Sequence, residues 1–243
     1  MKLALTLFML LFAANAFAQD AIIVGANGDR TDDGNGAGAS LHWVRSRADT
    51  TLIAGALVAS FPGTRWRYAV AGGSRKLNAR TMLTGEANIG NGDDARGSFR
   101  YLLLRGGGTY DVLPRKLSAE AEWLHVDVAR QRDGVLRLGA TATLLPRLVL
   151  RLSRYESLAG DGDTSLLTMR GDYDLGRMRP IIGFAYGHAG TVFSQQTGSD
   201  ATRVRDLFGG ATFRGWTLVV TAGHDRQSIA VSRRIALPFG GSP

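Results

Sequence analysis

The chain contains no cysteine, which excludes a disulfide framework, a thiolate metal site and a cysteine nucleophile. Proline is scarce, at 6 of 243 residues, against 32 glycines. That balance suits a turn-rich β protein, not a disordered or collagen-like one. Histidine is confined to His42, His125, His188 and His224, so chemistry that needs an imidazole has only four places to reside. After residue 18 no long uncharged apolar run occurs, which excludes a helical membrane span. Lysine is almost missing too: beyond Lys2 only Lys76 and Lys116 are present, and the basic charge is carried by arginine.

What is present begins with a leader. Met1-Lys2 is followed by an apolar run from Leu3 to Ala14, and Ala16-Phe17-Ala18 fits a small-x-small cleavage site. The pattern predicts a secretory signal peptide at 1–18 and a mature start at Gln19. Loss of Lys2 lowers the formal net charge from +8 to +7. A basic exported chain suits anionic partners such as lipopolysaccharide, although an arginine-favouring codon usage accounts for the same bias. The arginines are dispersed, with no interleaved basic–aromatic module, so no nucleic-acid partner is expected.

The mature chain alternates apolar and polar residues in stretches of roughly ten, broken by Gly, Asp, Asn and Pro. Leu136 to Leu144 shows it best: even positions are apolar, and odd positions are Arg, Gly, Thr and Thr. Successive strand side chains point to opposite faces, so such a strand has one greasy and one wet face. Repeated around a closed sheet, the pattern predicts an all-β fold, a transmembrane antiparallel up-and-down β-barrel. If apolar faces meet lipid, Trp66, Tyr68 and Val70 point outward, and Arg65 and Arg67 inward. Likewise Leu117, Ala119, Ala121 and Trp123 oppose Ser118, Glu120 and Glu122, and Leu150 and Leu152 oppose Arg151 and Ser153. From Arg96 to Val112 the phase changes: Phe99, Tyr101 and Leu103 set one parity, Tyr110 and Val112 the other. Gly106-Gly107-Gly108 between them reads as a bulge that resets the register, or as a hairpin.

The breaks fall into two classes. Tight turns recur at Leu113 to Lys116, Leu145 to Arg147, Leu175 to Arg177 and Arg214-Gly215. The aromatics Tyr110, Tyr173, Phe213 and Trp216 flank them and, with Trp123, are candidates for the membrane interface. More polar connections lie between, at Asn91 to Asp94, Ala129 to Gly134, Ala159 to Asp163 and His188 to Thr202. Short turns at one end and polar loops at the other orient a barrel with termini and Pro-containing turns in the periplasm. From Gly36 the count is about thirteen strands, and a candidate first strand within 19–35 gives about fourteen. Misreading near Ala54 and Pro180 would give twelve. The barrel is expected over 36–239, with a tail at 240–243. Ile229, Val231, Ile235, Leu237 and Phe239 share one parity, like a C-terminal barrel-assembly signal, which Pro238 interrupts.

Over its mature length the sequence resembles the Gram-negative outer-membrane β-barrel class. Gly107-Gly108-Thr109-Tyr110, Arg151-Leu152-Ser153-Arg154-Tyr155 and Gly183-Phe184-Ala185-Tyr186-Gly187 are similar to YaiO-type barrels. The resemblance implies an outer-membrane location, the barrel-assembly machinery as a partner in biogenesis, and an association with a surface-polysaccharide export system. It brings no catalytic residues.

The histidines do not complete a catalytic motif. A barrel deacylase carries His-x-Ser, because the imidazole must take the serine proton. The four sites read His42-Trp43-Val44, His125-Val126-Asp127, His188-Ala189-Gly190 and His224-Asp225-Arg226. Ser228 is near His224 in sequence, but triads are defined by geometry. Asp93-Asp94 with His224-Asp225 has the residue types of an omptin-like protease, yet both sit where turn chemistry favours Asp. Asn27 to Gly36 and Asp161-Gly162-Asp163 are rich in oxygen ligands but miss the calcium-loop spacing. Arg105 to Thr109 lacks the Lys and Ser/Thr of a phosphate loop. No cofactor, metal or catalytic residue is therefore assigned, and no enzymatic activity is expected.

The inward faces are expected to carry Arg65, Arg67, Arg80, Arg100, Arg137, Arg151 and Arg170 against Glu86, Glu120, Glu122 and Asp172. Opposite charges on adjacent strands could pair and fill the barrel. In an open lumen the arginine excess would favour anions. The expectation is a narrow channel or the barrel of an envelope system. A barrel hydrolase or protease, and a soluble periplasmic sandwich or lipocalin-like protein, are the alternatives.

Overall fold

The computed structural model of the chain describes residues 20–31, 34–128, 131–160, 163–189, 202–223 and 226–237. The leader with Gln19, Asp32-Asp33, Ala129-Arg130, Asp161-Gly162, residues 190–201, His224-Asp225 and the residues from Pro238 onward, Phe239 included, lie outside them.

The described residues form one closed antiparallel barrel. Its strands are β1 (Ala21–Thr31), β2 (Gly34–Arg47), β3 (Thr50–Phe61), β4 (Thr64–Lys76), β5 (Thr81–Asp94), β6 (Gly97–Leu113) and β7 (Leu117–Val128). They continue as β8 (Gln131–Leu145), β9 (Leu148–Gly160), β10 (Ser165–Tyr173), β11 (Met178–Ala189), β12 (Thr202–Phe213), β13 (Trp216–Gly223) and β14 (Arg226–Ala236). Each strand pairs with its sequence neighbours, and β1 closes the sheet against β14 from Ala21↔Ala236 to Thr31↔Arg226. Closure leaves no unpaired edge, as a sheet in lipid requires. The regions near Ala54 and Pro180 are the strands β3 and β11, so the even count of fourteen holds. The segment 19–35 contributes the first strand of the sheet.

Turn chemistry fixes the hairpins. Arg214 (φ 48°) and Gly215 (φ 82°) both take positive φ between the paired Phe213 and Trp216, the two-residue turn whose twist matches its strands. At the other end Pro62-Gly63, with Gly63 at φ 72°, puts proline and glycine where a type II turn needs them. The tight turns at 114–116, 146–147, 174–177 and 214–215 share the end that holds both termini. At the opposite end the polar segments are largely strand: Asn91 to Asp94 closes β5, and Gln131 to Gly134 opens β8.

Burial separates the two faces. The outward face carries Leu83, Ile89, Trp123, Leu138, Leu152, Ile182, Leu207, Leu218, Val220 and Ile229, all exposed large hydrophobics. The inward face carries the buried residues, because only the lumen side of a closed sheet has side chains to cover them. β6 runs through Gly106-Gly107-Gly108 without interruption: Gly107 pairs Thr84 on one side and Glu122 on the other. Neither the bulge nor the hairpin expected there exists, and the register slips only between Asp111 and Leu113. Gly107 is glycine because an added Cβ would lie 2.9 Å from the Glu122 Cβ, closer than real Cβ contacts allow.

Candidate functional site in the barrel lumen

Two layers line the lumen. Toward the end away from the termini, the wall from β3 to β11 is apolar: Leu57, Trp66, Tyr68, Val70, Tyr101, Leu103, Leu124, Val126, Val135, Tyr155 and Leu166 form one buried cluster with Phe99 packed against it. Its centre is aromatic. Tyr68 and Tyr101 both align with Gly90 on β5, and Trp66 and Phe99 both align with Gly92. A Cβ at Gly90 would stand 2.4 Å from the Tyr68 Cβ, and one at Gly92 would stand 2.3 Å from the Phe99 ring. The two glycines thus let the rings of β4 and β6 close over the strand between them. Trp66 meets Phe99 at 4.8 Å and Tyr101 at 5.3 Å, edge to face, and Tyr68 meets Tyr101 at 5.1 Å, arrangements that the ring quadrupoles favour. Across from this wall the same level is small and polar, with Asn27, Asp29, Asp206, Thr221 and Ser228 inward. The indole Nε1 of Trp66 and Oδ1 of Asn88 are buried with no hydrogen-bond partner among the described residues.

Nearer the termini, β5 to β10 carry a belt of charge. Arg105 reaches Glu122 at 2.9 Å and Glu86 at 3.5 Å. Arg137 donates to Glu120 at 2.7 Å, to Glu122 at 3.2 Å and to Ser153 Oγ at 3.1 Å. Asn88 and Thr141 donate to the remaining oxygens of Glu86 and Glu120, at 3.0 and 2.8 Å. Arg170 holds Asp172 through two bonds of 2.9 and 2.6 Å. Every carboxylate oxygen of the belt therefore faces a hydrogen-bond donor or a guanidinium, the condition under which buried charge is tolerated. Arg151 sits between Thr141 and Arg170. Four arginines face four carboxylates, and the belt is neutral.

The structure brings Glu86, Glu120, Glu122, Arg137, Arg151, Arg170 and Asp172 together inside the barrel. It places Arg65, Arg67 and Arg100 elsewhere: all three are exposed on the outward face, and Arg80 lies in the β4–β5 connection. The cause is that β4 buries Trp66, Tyr68 and Val70 inward and β6 buries Tyr101 and Leu103, the reverse of the faces expected from apolarity. Arg105 belongs to the belt and was not anticipated. It shares the parity of Tyr101 and Leu103, which apolarity alone assigns outward; the signal that finds it is the outward Tyr110, whose phase runs unbroken back through the glycines.

Tyr110, Trp123, Tyr173, Phe213 and Trp216 are all outward and 40–48% exposed. All but Trp123 lie beside the turns at the end that holds the termini, where Arg214 caps Phe213 and Arg233 caps Trp216, each at 5.1 Å. Trp123 stacks on His125 at 5.6 Å, His42 is buried over Gly55, and His188 is exposed on the outward face. Asp94 accepts the Arg96 amide at 2.7 Å and Asp93 the Ser98 hydroxyl at 2.5 Å, both turn roles. Among the described residues no three His, Asp or Glu side chains gather as metal ligands.

No protein-family model matches the chain, and no curated protein matches it by sequence. Solved structures do. A deltaS2S3 mutant of the monoaromatic hydrocarbon channel TodX superposes with a TM-score of 0.69 at 11% identity, over 91% of each chain. The monoaromatic hydrocarbon channel CymD follows at 0.67 and 9% identity, over 91% of this chain and 89% of that one. A bacterial polysaccharide outer membrane secretin gives 0.53 at 9% identity, over 92% of this chain and 100% of the other. The fold is that of outer-membrane channel barrels. At such identities the likeness extends to architecture alone.

Proposed function

We propose that the chain is a non-enzymatic outer-membrane channel for small apolar or aromatic solutes, with its termini in the periplasm. The observation that carries this reading is the inward aromatic cluster of Trp66, Tyr68, Phe99 and Tyr101 within an apolar wall. A channel for water and ions gains nothing from rings turned into its lumen, whereas an apolar solute exchanges water for them favourably. The belt below is neutral, and Arg65, Arg67 and Arg100, which would favour anions in the lumen, stand outside the barrel. The likeness to monoaromatic hydrocarbon channels supports the same solute class. The leader and the outward apolar band support the outer-membrane location.

The test is uptake of a labelled small aromatic hydrocarbon into vesicles holding the refolded protein, alongside planar-bilayer conductance. Uptake above protein-free vesicles with a weak, poorly ion-selective conductance is expected, and Tyr101→Ala should raise the conductance by removing a ring from the lumen. A strongly anion-selective reversal potential without aromatic uptake would overturn the reading.

A second reading is the barrel component of a surface-polysaccharide system. It draws on the YaiO-like motifs and on the architectural likeness to a polysaccharide secretin. Loss of surface polysaccharide on deletion of the chain, with aromatic uptake unchanged, would select it over the first.

A further inference from the structure

The three arginines that face away from the lumen occupy a defined level of the barrel. Arg67 on β4 and Arg100 on β6 both align with Asn91 on β5, and all three side chains are outward and exposed. One strand spacing is about 4.8 Å, so the two arginine backbones stand about 10 Å apart across Asn91. Two long guanidinium side chains at that separation can converge on one tetrahedral anion. Arg65 adds a third cation in the next outward position of β4, beside Asp93, which accepts the Ser98 hydroxyl.

On the side toward the termini, the adjoining outward positions are Ala69, Ile89 and Leu102, followed by Ala71, Ala87 and Leu104. The arginines therefore begin where the apolar band ends, at the depth of lipid head groups. Two other outward arginines toward this end have a carboxylate of their own: Arg132 pairs Asp127 at 2.8 Å, and Arg154 pairs Glu156. Among the described residues no ion pair engages Arg65, Arg67 or Arg100.

We propose that Arg67 and Arg100, assisted by Arg65, hold a phosphate of lipopolysaccharide on the outer surface of β4 to β6. The proposal rests on the outer-membrane reading above, which turns this end of the barrel toward the outer leaflet. Guanidinium suits the task because its planar fork donates two parallel hydrogen bonds to phosphate. Ala56 and Ala69, small residues just inside the rim, leave the arginine stems room to lie against the barrel while their heads stay at the interface.

The test uses the full chain refolded in detergent and binding of lipid A with its phosphates. Arg67→Gln/Arg100→Gln should weaken that binding by about tenfold or more, the loss expected for one or two charge-assisted hydrogen bonds. Arg67→Lys/Arg100→Lys should recover part of it, and Arg177→Gln at the opposite end should leave it unchanged. Dephosphorylated lipid A should not distinguish the variants. Equal binding by the wild type and the double Gln variant, both showing the heat-modifiable gel migration of a folded barrel, would overturn the assignment. An equal loss on phosphatidylglycerol vesicles would overturn its specificity for lipopolysaccharide. Absence of the chain from the outer-membrane fraction would instead overturn the location on which the proposal rests, a result that needs no variant.

Discussion

The two halves of the lumen are built from the same strands and the same parity, yet they solve opposite problems. On β6 the inward residues read Phe99, Tyr101 and Leu103 in the half away from the termini, the outer half, then Arg105, Gly107 and Thr109 toward the end that holds the termini, with unbroken register against both neighbours. In the outer half, bulk is admitted by removing side chains from the strand between, at Gly90 and Gly92. In the inner half, charge is admitted by giving each carboxylate oxygen a donor. A face of a barrel strand is thus a geometric constant whose chemistry is set layer by layer. In the outer layer the inward wall is apolar while the outward rim carries Arg65, Arg67 and Arg100, so apolarity there does not mark the face that meets lipid.

The sharpest way to break the inner layer is to remove the residue that joins two carboxylates. Arg137→Met would leave Glu120 with one donor fewer and Glu122 dependent on Arg105 alone, with Glu122 only 5% exposed. A buried charge stripped of its partner costs about 3–5 kcal/mol, which should appear as a lowered urea midpoint for protein refolded in lipid vesicles. Adding Glu122→Gln should recover part of that loss, and a double variant no more stable than the single one would show that the belt is not held by charge. The outer layer breaks differently. Gly90→Val would force a side chain into the space where Tyr68 and Tyr101 meet, and overpacking of this kind costs about 1–3 kcal/mol. The same titration should register it, together with a change in the near-ultraviolet circular dichroism of the displaced rings. An unchanged aromatic spectrum would mean that the rings do not close over Gly90.

The contrast between layers also explains what the sequence made legible. Strand number within two, closure, the position of the tight turns and seven of the eight charges of the belt follow from alternation and turn residues, because in the inner layer the polar phase does face inward. Arg65, Arg67 and Arg100 were misplaced by the same rule carried into the outer layer. On β4 the outward residues beside Arg67 are Ala69 and Ala71, too small to outweigh Trp66, Tyr68 and Val70 as an apolar face. The signal that could have corrected it was on β5: glycines at alternate positions, Gly90 and Gly92, mark a face against which large side chains pack. Arg105 shares its parity with Tyr101 and Leu103, so the same rule sends it outward, and Gly106 to Gly108 suggest a break that cuts it off from the correct phase set by Tyr110, where packing against Glu122 is the actual requirement.

The smallest expected effect tests whether the difference is one of place and not of residue type. Arg154 and Glu156 form an ion pair on the outward rim with side chains 50% and 42% exposed, chemically the same pair as Arg137 and Glu122 inside. Water screens the outer pair, and holding two long side chains in one geometry offsets what attraction remains, so exposed pairs contribute ~0–1 kcal/mol. Arg154→Gln should therefore shift the urea midpoint barely or not at all, and any shift should shrink as salt is added, since exposed charges are screened while buried ones are not. Arg137→Met should keep its full cost in the same salt series. If the two substitutions responded alike, the belt would be solvated and the lumen wall wet, and the division between a charge-paired inner layer and a solvent-screened rim would fail.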